Sequence, residues 1–514
     1  MNFAIEVERL ACRGGWLDAR AFVTPGREWS HAQVHRASHG LARLFQRKGL
    51  VAGSRLLLAL DDSVLWVAAF LACARLGATA LVVNPHLGAA EHERLCARFQ
   101  PRLALVDGAL AERFSSAVLI DPAEALRELA HPDATAPDAA DSGFAPLYVQ
   151  FTSGTTGEQK AVPHRHEDML VYRDAVATGM LGLRREDLLF SASRMFFAYG
   201  LGNSLAFPLT MGASAVLLPR RPSGADALDV LLRHPVDVMF WVPSGFASLM
   251  REAEQSPSQS LRLAVSAGEA LSPGLASRLQ GWLRAPVLNQ LGSTEAGHAY
   301  CGTSLGDDPA ASVGRVLPGY SVELRDPATG SPAPPGGEGE VWLAGPTVPR
   351  GYWRDVTGTA RGADLFVGDW FRTGDKARRL VDGRLQHLGR VDDIEKVGGM
   401  KLSPLEVEAV LSEHPDVAEV AVASVVHRDG ASRLWAFVVC RRLLAHIEPE
   451  LRSLARARLA PFMVPKFFVP VERLPRTTNG KLQRHVLRSD EWIHRALSVA
   501  PHCAAAQPLE VERP

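Results

Sequence analysis

The chain has 514 residues, with 56 Lys and Arg against 56 Asp and Glu, so its formal net charge is zero. That balance argues against nucleic acid or an anionic membrane as a partner, because both call for a basic field. Apolar residues make up 47% and charged residues 22%, which excludes a disordered chain, and the length suggests roughly two to four domains.

Residues 1–20 carry Glu6, Glu8 and Asp18 and no long apolar stretch, so no signal peptide is expected and a cytoplasmic location is. The spacing predicts strands over 55–60, 79–83, 103–106 and 118–120, with a helix over 64–76. The stretch 64–83 is interrupted by Arg75 and Gly77, so it reads as a buried helix followed by a strand and not as a membrane span. An Ala/Pro/Asp loop over 130–146 precedes a glycine-rich segment. Strands are predicted again over 213–218, 236–241, 261–266 and 287–291, and helices over 225–233, 244–254 and 272–283. This alternation implies α/β layers around a largely parallel sheet. Residues 326–340 are dense in Pro and Gly and read as turns between short strands, the small β-barrel-like part of the large domain. From about Asp392 the texture changes to a small α+β unit: helix 404–413, strands 417–426 and 434–440, helix 448–459 and strand 466–471. The expected division is therefore 1–391 and 392–514, the second part a mobile lid whose tail after about 496 is Ala/Pro-rich and flexible. The six cysteines (Cys12, Cys73, Cys96, Cys301, Cys440, Cys503) show neither disulfide nor zinc spacing.

Chemistry concentrates in a few segments. Thr152-Ser153-Gly154-Thr155-Thr156-Gly157, with Lys160 after it, follows an apolar run. Two glycines permit a tight loop whose N–H and hydroxyl groups converge on an anion, and Lys160 adds charge. Gln159 stands where a Walker A loop has glycine, so this is either a different polyphosphate cradle or a polar surface turn. Further on stand Leu291-Gly-Ser-Thr-Glu295, Phe371-Arg-Thr-Gly-Asp375, Gly389-Arg-Val-Asp-Asp393, Lys396-Val-Gly-Gly399 and Pro475-Arg-Thr-Thr-Asn-Gly-Lys481.

In this order and spacing, over residues 20–490, these segments resemble the adenylate-forming superfamily of acyl-CoA synthetases, peptide-synthetase adenylation domains and luciferases. Phe196-Phe-Ala-Tyr-Gly-Leu-Gly-Asn203, the pair His164/His166 and His298 resemble the benzoate-CoA ligase group. The resemblance implies an aryl-acid pocket of Phe197, Ala198, Tyr199, Gly292, His298 and Ala299. Small residues there leave room for a flat ring, Tyr199 gives an aromatic wall and His298 one polar handle. Ala299 stands where benzoate ligases often carry bulkier aliphatics, which points to a substituted ring such as 2-aminobenzoate or a hydroxybenzoate beside benzoate.

The implied reaction joins a carboxylate to the α-phosphate of ATP, releases pyrophosphate, and lets a thiol displace AMP. Mg²⁺, ATP and coenzyme A are the implied cofactor and cosubstrates. Glu295 is the expected Mg²⁺ anchor and Thr294 the α-phosphate contact. Asp375 and Arg390 are expected at the ribose, and Gly268 and Glu269 beside adenine. Lys481 is expected to stabilise the reacting oxygens in the first step. The lid is expected to turn about Asp392, so that Gly398 and Gly399 let a pantetheine arm pass close to the backbone. The main alternative is an adenylating enzyme that loads an aryl or acyl carrier protein, and a monomer or homodimer suits either. No fused carrier domain is expected, which favours free CoA. Arg441-Arg442 or the Arg-rich helix near 452–458 are candidates for a CoA-phosphate patch. Only seven lysines are present; Lys160, Lys396 and Lys481 fall in these segments and Lys401 closes the loop 396–401 that belongs with them, while Lys48, Lys376 and Lys466 do not.

Overall fold

The computed structural model describes residues 1–114, 117–130, 137, 145–152, 159–256, 260–359, 362–393, 395–397, 400–426, 432–476 and 482–499. Ser153, Gly154, Thr155, Thr156, Gly157, Gly398, Gly399 and Lys481 lie outside these.

Two parallel-rich sheets build the large part. The six-stranded sheet runs, in spatial order, Val118–Ile120, Leu103–Val106, Arg55–Ala59, Thr79–Val82, Tyr148–Thr152 and Lys160–His164, the last antiparallel. The nine-stranded sheet has a parallel centre of Val287–Gly292, Leu263–Ala267, Val238–Trp241, Leu188–Ser191, Ser214–Val216 and Arg20–Thr24, with short antiparallel strands at both edges.

Side-chain alternation explains why both sheets are covered on two faces. Leu56, Leu58, Val82 and Leu105 of one sheet and Phe22, Leu189, Phe240 and Val265 of the other share a single central core. Their neighbours in sequence turn outward: Leu57, Leu81 and Val106 join a second core under the helix Ala89–Phe99, and Phe190, Met239 and Ala264 a third. Between the sheets lies the helix Val64–Arg75, every residue of which is buried. It is apolar all round because it has no solvent face. Its last residue, Arg75, is paired through Nη2 with Glu8 from the helix Phe3–Gly14, and His39 lies 3.2 Å from the same carboxylate. Burial alone would raise the Glu8 carboxyl, but His39 and Arg75 outweigh it and hold it at about 2. Among the described residues no helix is long and apolar enough to cross a membrane.

A five-stranded antiparallel sheet follows, built on Glu338–Ala344 and Trp370–Arg379. The C-terminal part holds the hairpin Glu395–Val397/Met400–Leu402, in which Lys396 pairs with Lys401, and the sheet Val417–Val426, Ser432–Cys440 and Phe467–Pro470. Its second helix spans Leu444–Arg458 and so starts one turn earlier than the sequence suggests. Pro449 reads as a first-turn residue, yet it sits inside the helix, because Leu444, Ile447, Leu451 and Ala455 bury one continuous stripe.

Candidate active site

Ligand sites of open parallel sheets lie beyond the carboxyl ends of the strands. Here four adjacent strands end in Ser191, Trp241, Ala267 and Gly292, and the segments that follow them carry the candidate residues. After Val287–Gly292 the chain turns back so that Gly292 faces Ala299 across a register shift. A Cβ on Gly292 would lie 2.6 Å from the His298 carbonyl oxygen, so the turn closes only with glycine. Residues 293–298 thus form one loop with two outlooks.

One outlook is polar. Glu295, only 8% exposed, accepts a hydrogen bond from the Tyr352 hydroxyl at 2.7 Å. Lys160 Nζ sits 5.4 Å from the Tyr352 ring centroid. Burial first, and then the Glu295 carboxylate, hold the Tyr352 phenol protonated, far above its usual range. The Thr294 carbonyl accepts from His164 Nε2 at 2.8 Å, and the Tyr172 hydroxyl lies 3.1 Å from His164 Nδ1. His164 is fully buried and stacks on Tyr148 at 4.8 Å. It therefore fixes the backbone of the loop. His166 serves elsewhere: its Nδ1 accepts from the Phe3 N–H at 3.1 Å, and burial pushes its pKa down to about 4. Thr152 and Lys160 are register partners at the ends of two paired strands, so they flank the base of the glycine-rich segment.

Asp375 and Arg390 face each other across neighbouring strands, Arg390 Nη1 lying 3.4 Å from the Asp375 carboxylate and donating to the Thr373 carbonyl at 2.7 Å. His387 Nε2 is 3.3 Å from the same carboxylate oxygen. Gly268 takes φ +84° directly after its strand, a conformation that favours glycine. The carboxylate of the neighbouring Glu269 has partners within the protein. It accepts from the Ser244 N–H at 3.0 Å, from the Ser244 hydroxyl at 2.9 Å and from Arg476 at 2.7 Å. Burial raises its pKa, with Arg476 and Ser244 opposing.

The second outlook is aromatic. His298 is enclosed by Tyr199, Phe207 and Tyr172, with ring centroids 5.5, 5.1 and 6.4 Å away. Its ring lies against Gly202, where a Cβ would come within 2.3 Å of Cδ2. Nε2 lies 3.2 Å from Asn203 Oδ1, whereas Nδ1 is buried with no partner among the described residues. Burial pushes the imidazole pKa down to about 3, so the ring is neutral. The Tyr199 hydroxyl donates to the Val265 carbonyl at 2.9 Å, and its ring is tilted 43° to that of His298. Phe197 and Ala198 open the same short helix, Ala198–Leu201.

A family model described as AMP-binding enzyme matches residues 11–353, and one described as AMP-binding enzyme C-terminal domain matches residues 406–481. The chain belongs to the AMP-binding enzyme family. Among its relatives, the p-hydroxybenzoic acid–AMP ligase FadD22 of Mycobacterium tuberculosis is 37% identical over 95% of this chain and 68% of its own length. The benzoate–CoA ligase of Thauera aromatica is 32% identical over 86% of both chains. The anthranilate CoA ligase AuaEII, solved with anthranoyl-AMP, superimposes with a TM-score of 0.89 at 29% identity, covering 97% of this chain and 98% of that one.

In this AMP-binding enzyme the fold brings together Lys160, Thr294 and Glu295, then Asp375 with Arg390, then Tyr199, Gly292, His298 and Ala299. Asp392 lies in the turn Val391–Asp393. Tyr352 and Asn203 were not legible as site residues. Tyr352 stands 57 positions from Glu295, and its only local signal is an aromatic pair beside Gly351. Within and just before the Arg-rich helix, Arg452 pairs with Glu448 at 2.6 Å, Arg458 with Glu413 at 3.2 Å and Arg442 with Asp416 at 3.2 Å. Two of the lysines outside the motifs also have plain surface partners, Lys48 with Glu124 and Lys376 with Glu338.

Proposed function

We propose that this AMP-binding enzyme is an ATP-dependent aryl-CoA ligase that adenylates benzoate or a substituted benzoate and passes the acyl group to coenzyme A. The observation that carries the reading is the single loop 293–298, which presents Glu295 to Tyr352, over whose ring Lys160 sits, on one side and His298 to Tyr199 and Phe207 on the other. A flat acid seated against His298 then has its carboxylate directed toward the polar side, where ATP is held.

A carboxylate oxygen is a poor leaving group until it becomes part of AMP. Its attack brings an anion to a polyanion, so cationic groups have to be supplied at the reacting oxygens. Lys160, with the glycine-rich segment, takes the phosphates, and Asp375 with Arg390 takes the ribose. Lys481 stabilises the developing charge in the first step. Glu295 suits Mg²⁺ as a lone hard oxygen donor completed by phosphate oxygens, and the ion would supply charge neutralisation on the triphosphate. The residues 392–514 then turn about Asp392 to exchange Lys481 for the hairpin that carries Gly398 and Gly399.

A substituted ring is favoured by His298. Nε2 faces an amide oxygen and so carries the proton, which leaves Nδ1 as an acceptor with no partner among the described residues. A buried polar atom left unpaired costs about 1–3 kcal/mol, which a ring hydroxyl or amino group recovers by donating to it. The small side chain of Ala299 supports the same conclusion. Loading of a carrier protein is the second reading, favoured by the name of the mycobacterial relative as an acid–AMP ligase. A kcat/KM series over benzoate, 2-aminobenzoate and the hydroxybenzoates tests the substrate class. A preference for unsubstituted benzoate refutes the role given to His298 Nδ1.

A further inference from the structure

Glu269 and Glu419 lie where the two parts of the chain are tied by charge. Glu269 follows the strand Leu263–Ala267 and caps the helix Pro243–Glu252 through the N–H and hydroxyl of Ser244. Its Oε1 also accepts from Arg476 Nη1 at 2.7 Å, while Arg476 Nη2 donates to Glu419 of the strand Val417–Val426 at 2.9 Å. One guanidinium thus spans a carboxylate from each side of the boundary, a geometry that suits the rigid fork of Arg and not the point charge of Lys. Around it, Arg251 of the helix Pro243–Glu252 lies 3.9 Å from Glu419, Arg278 donates to the Ser412 carbonyl oxygen at 3.4 Å, and a Cβ on Gly274 would lie 2.2 Å from that oxygen.

Arg476 is also half of a base. It pairs with Leu482 in an antiparallel bridge, and the Gln483 N–H donates to the Pro475 carbonyl at 2.9 Å. The segment between these two anchors ends in Lys481. Whatever fixes Arg476 therefore fixes the base from which Lys481 is presented.

We propose that Arg476 is a positioning residue for adenylation: by bonding Glu269 and Glu419 together it locks the base of the Lys481 segment onto the ATP-binding part, and this lock opens before thiol transfer. The inference rests on the reading of Lys481 as a first-step residue. Glu269 is accordingly the anchor of the lock and not an adenine contact.

The test measures each half-reaction separately. Arg476→Ala is expected to lower kcat for acid-dependent pyrophosphate release about 10- to 100-fold with KM for ATP and acid nearly unchanged, while thiol transfer from supplied aryl-AMP stays within about threefold. Arg476→Lys restores part of the loss. Glu269→Gln keeps an acceptor for Ser244 and weakens the same step, and adding it to Arg476→Ala costs nothing more. In parallel, amide exchange of the helix Pro273–Leu283, against which Ser412 packs, is followed without substrates, and it quickens in Arg476→Ala. Unchanged adenylation, equal loss of both half-reactions, additive effects in the double variant, or unchanged exchange each overturn the proposal. If the wild type adenylates no aryl acid, the functional reading fails, and the exchange measurement alone still decides whether Arg476 holds the two parts together.

Discussion

Replacing Tyr352 by Phe removes one oxygen and little else. The ring keeps its contact with Phe366 at 5.0 Å and its place beneath Lys160, so folding stability should change little. What is lost is the 2.7 Å bond to Glu295. Hydrogen bonds to a charged partner contribute about 1.5–3 kcal/mol, which corresponds to roughly 10- to 150-fold in kcat/KM if the bond is what orients the carboxylate. The assay is acid-dependent exchange of pyrophosphate into ATP, repeated across a Mg²⁺ titration. The expected result is a loss in that range with a raised Mg²⁺ requirement. A variant within about twofold of wild type at every Mg²⁺ concentration would show that Tyr352 does not set the position of Glu295.

Lys481→Ala should lose aryl-adenylate formation by orders of magnitude and retain thiol transfer from supplied aryl-AMP; equal loss in both sinks the assignment. Gly399→Leu should do the reverse, slowing thioester formation in a CoA-dependent assay while pyrophosphate exchange survives. Ala299→Ile should narrow the pocket, and the ratio of kcat/KM for a hydroxy- or aminobenzoate over benzoate should fall about tenfold or more, with no shift in that ratio arguing that Ala299 does not line the ring site. Stability should fall on mild acidification. Burial holds His31, His35 and His166 at about 4, below the ordinary 6.5, so the unfolded chain takes up protons first as pH drops. Each then contributes a loss of about 1.4 kcal/mol between pH 7.5 and 5.5, levelling off near pH 4, where the folded form protonates as well. Urea unfolding at the two pH values reads this directly, and equal midpoints would contradict it.

Many strands were readable because they are short apolar runs bounded by turn residues; Leu103–Val106 and Val118–Ile120 fall where expected, whereas Arg20–Thr24 and Leu188–Ser191 were not marked. Local patterning could not place Leu444 at a helix start, since Pro449 outweighs it in sequence, and only the lid core shows that the stripe begins a turn earlier. The site divides in the same way. Residues inside contiguous motifs, such as Thr294–Glu295 or Phe371–Asp375, were visible because loop and chemistry share one segment. Tyr352 was invisible because its partner lies 57 residues away, and the Glu269–Arg476 pair spans 207 residues. Glu269 was visible as a site residue, but which group its carboxylate serves is decided by the packing of a distant segment.

The central claim is tested most directly by product analysis with one aryl acid at a time, ATP and Mg²⁺, with and without CoA. The account predicts stoichiometric AMP, pyrophosphate and aryl-CoA when CoA is present, and aryl-AMP held on the protein when it is absent. Aryl-AMP formation with no transfer to CoA, yet transfer to a carrier protein's thiol, would contradict it.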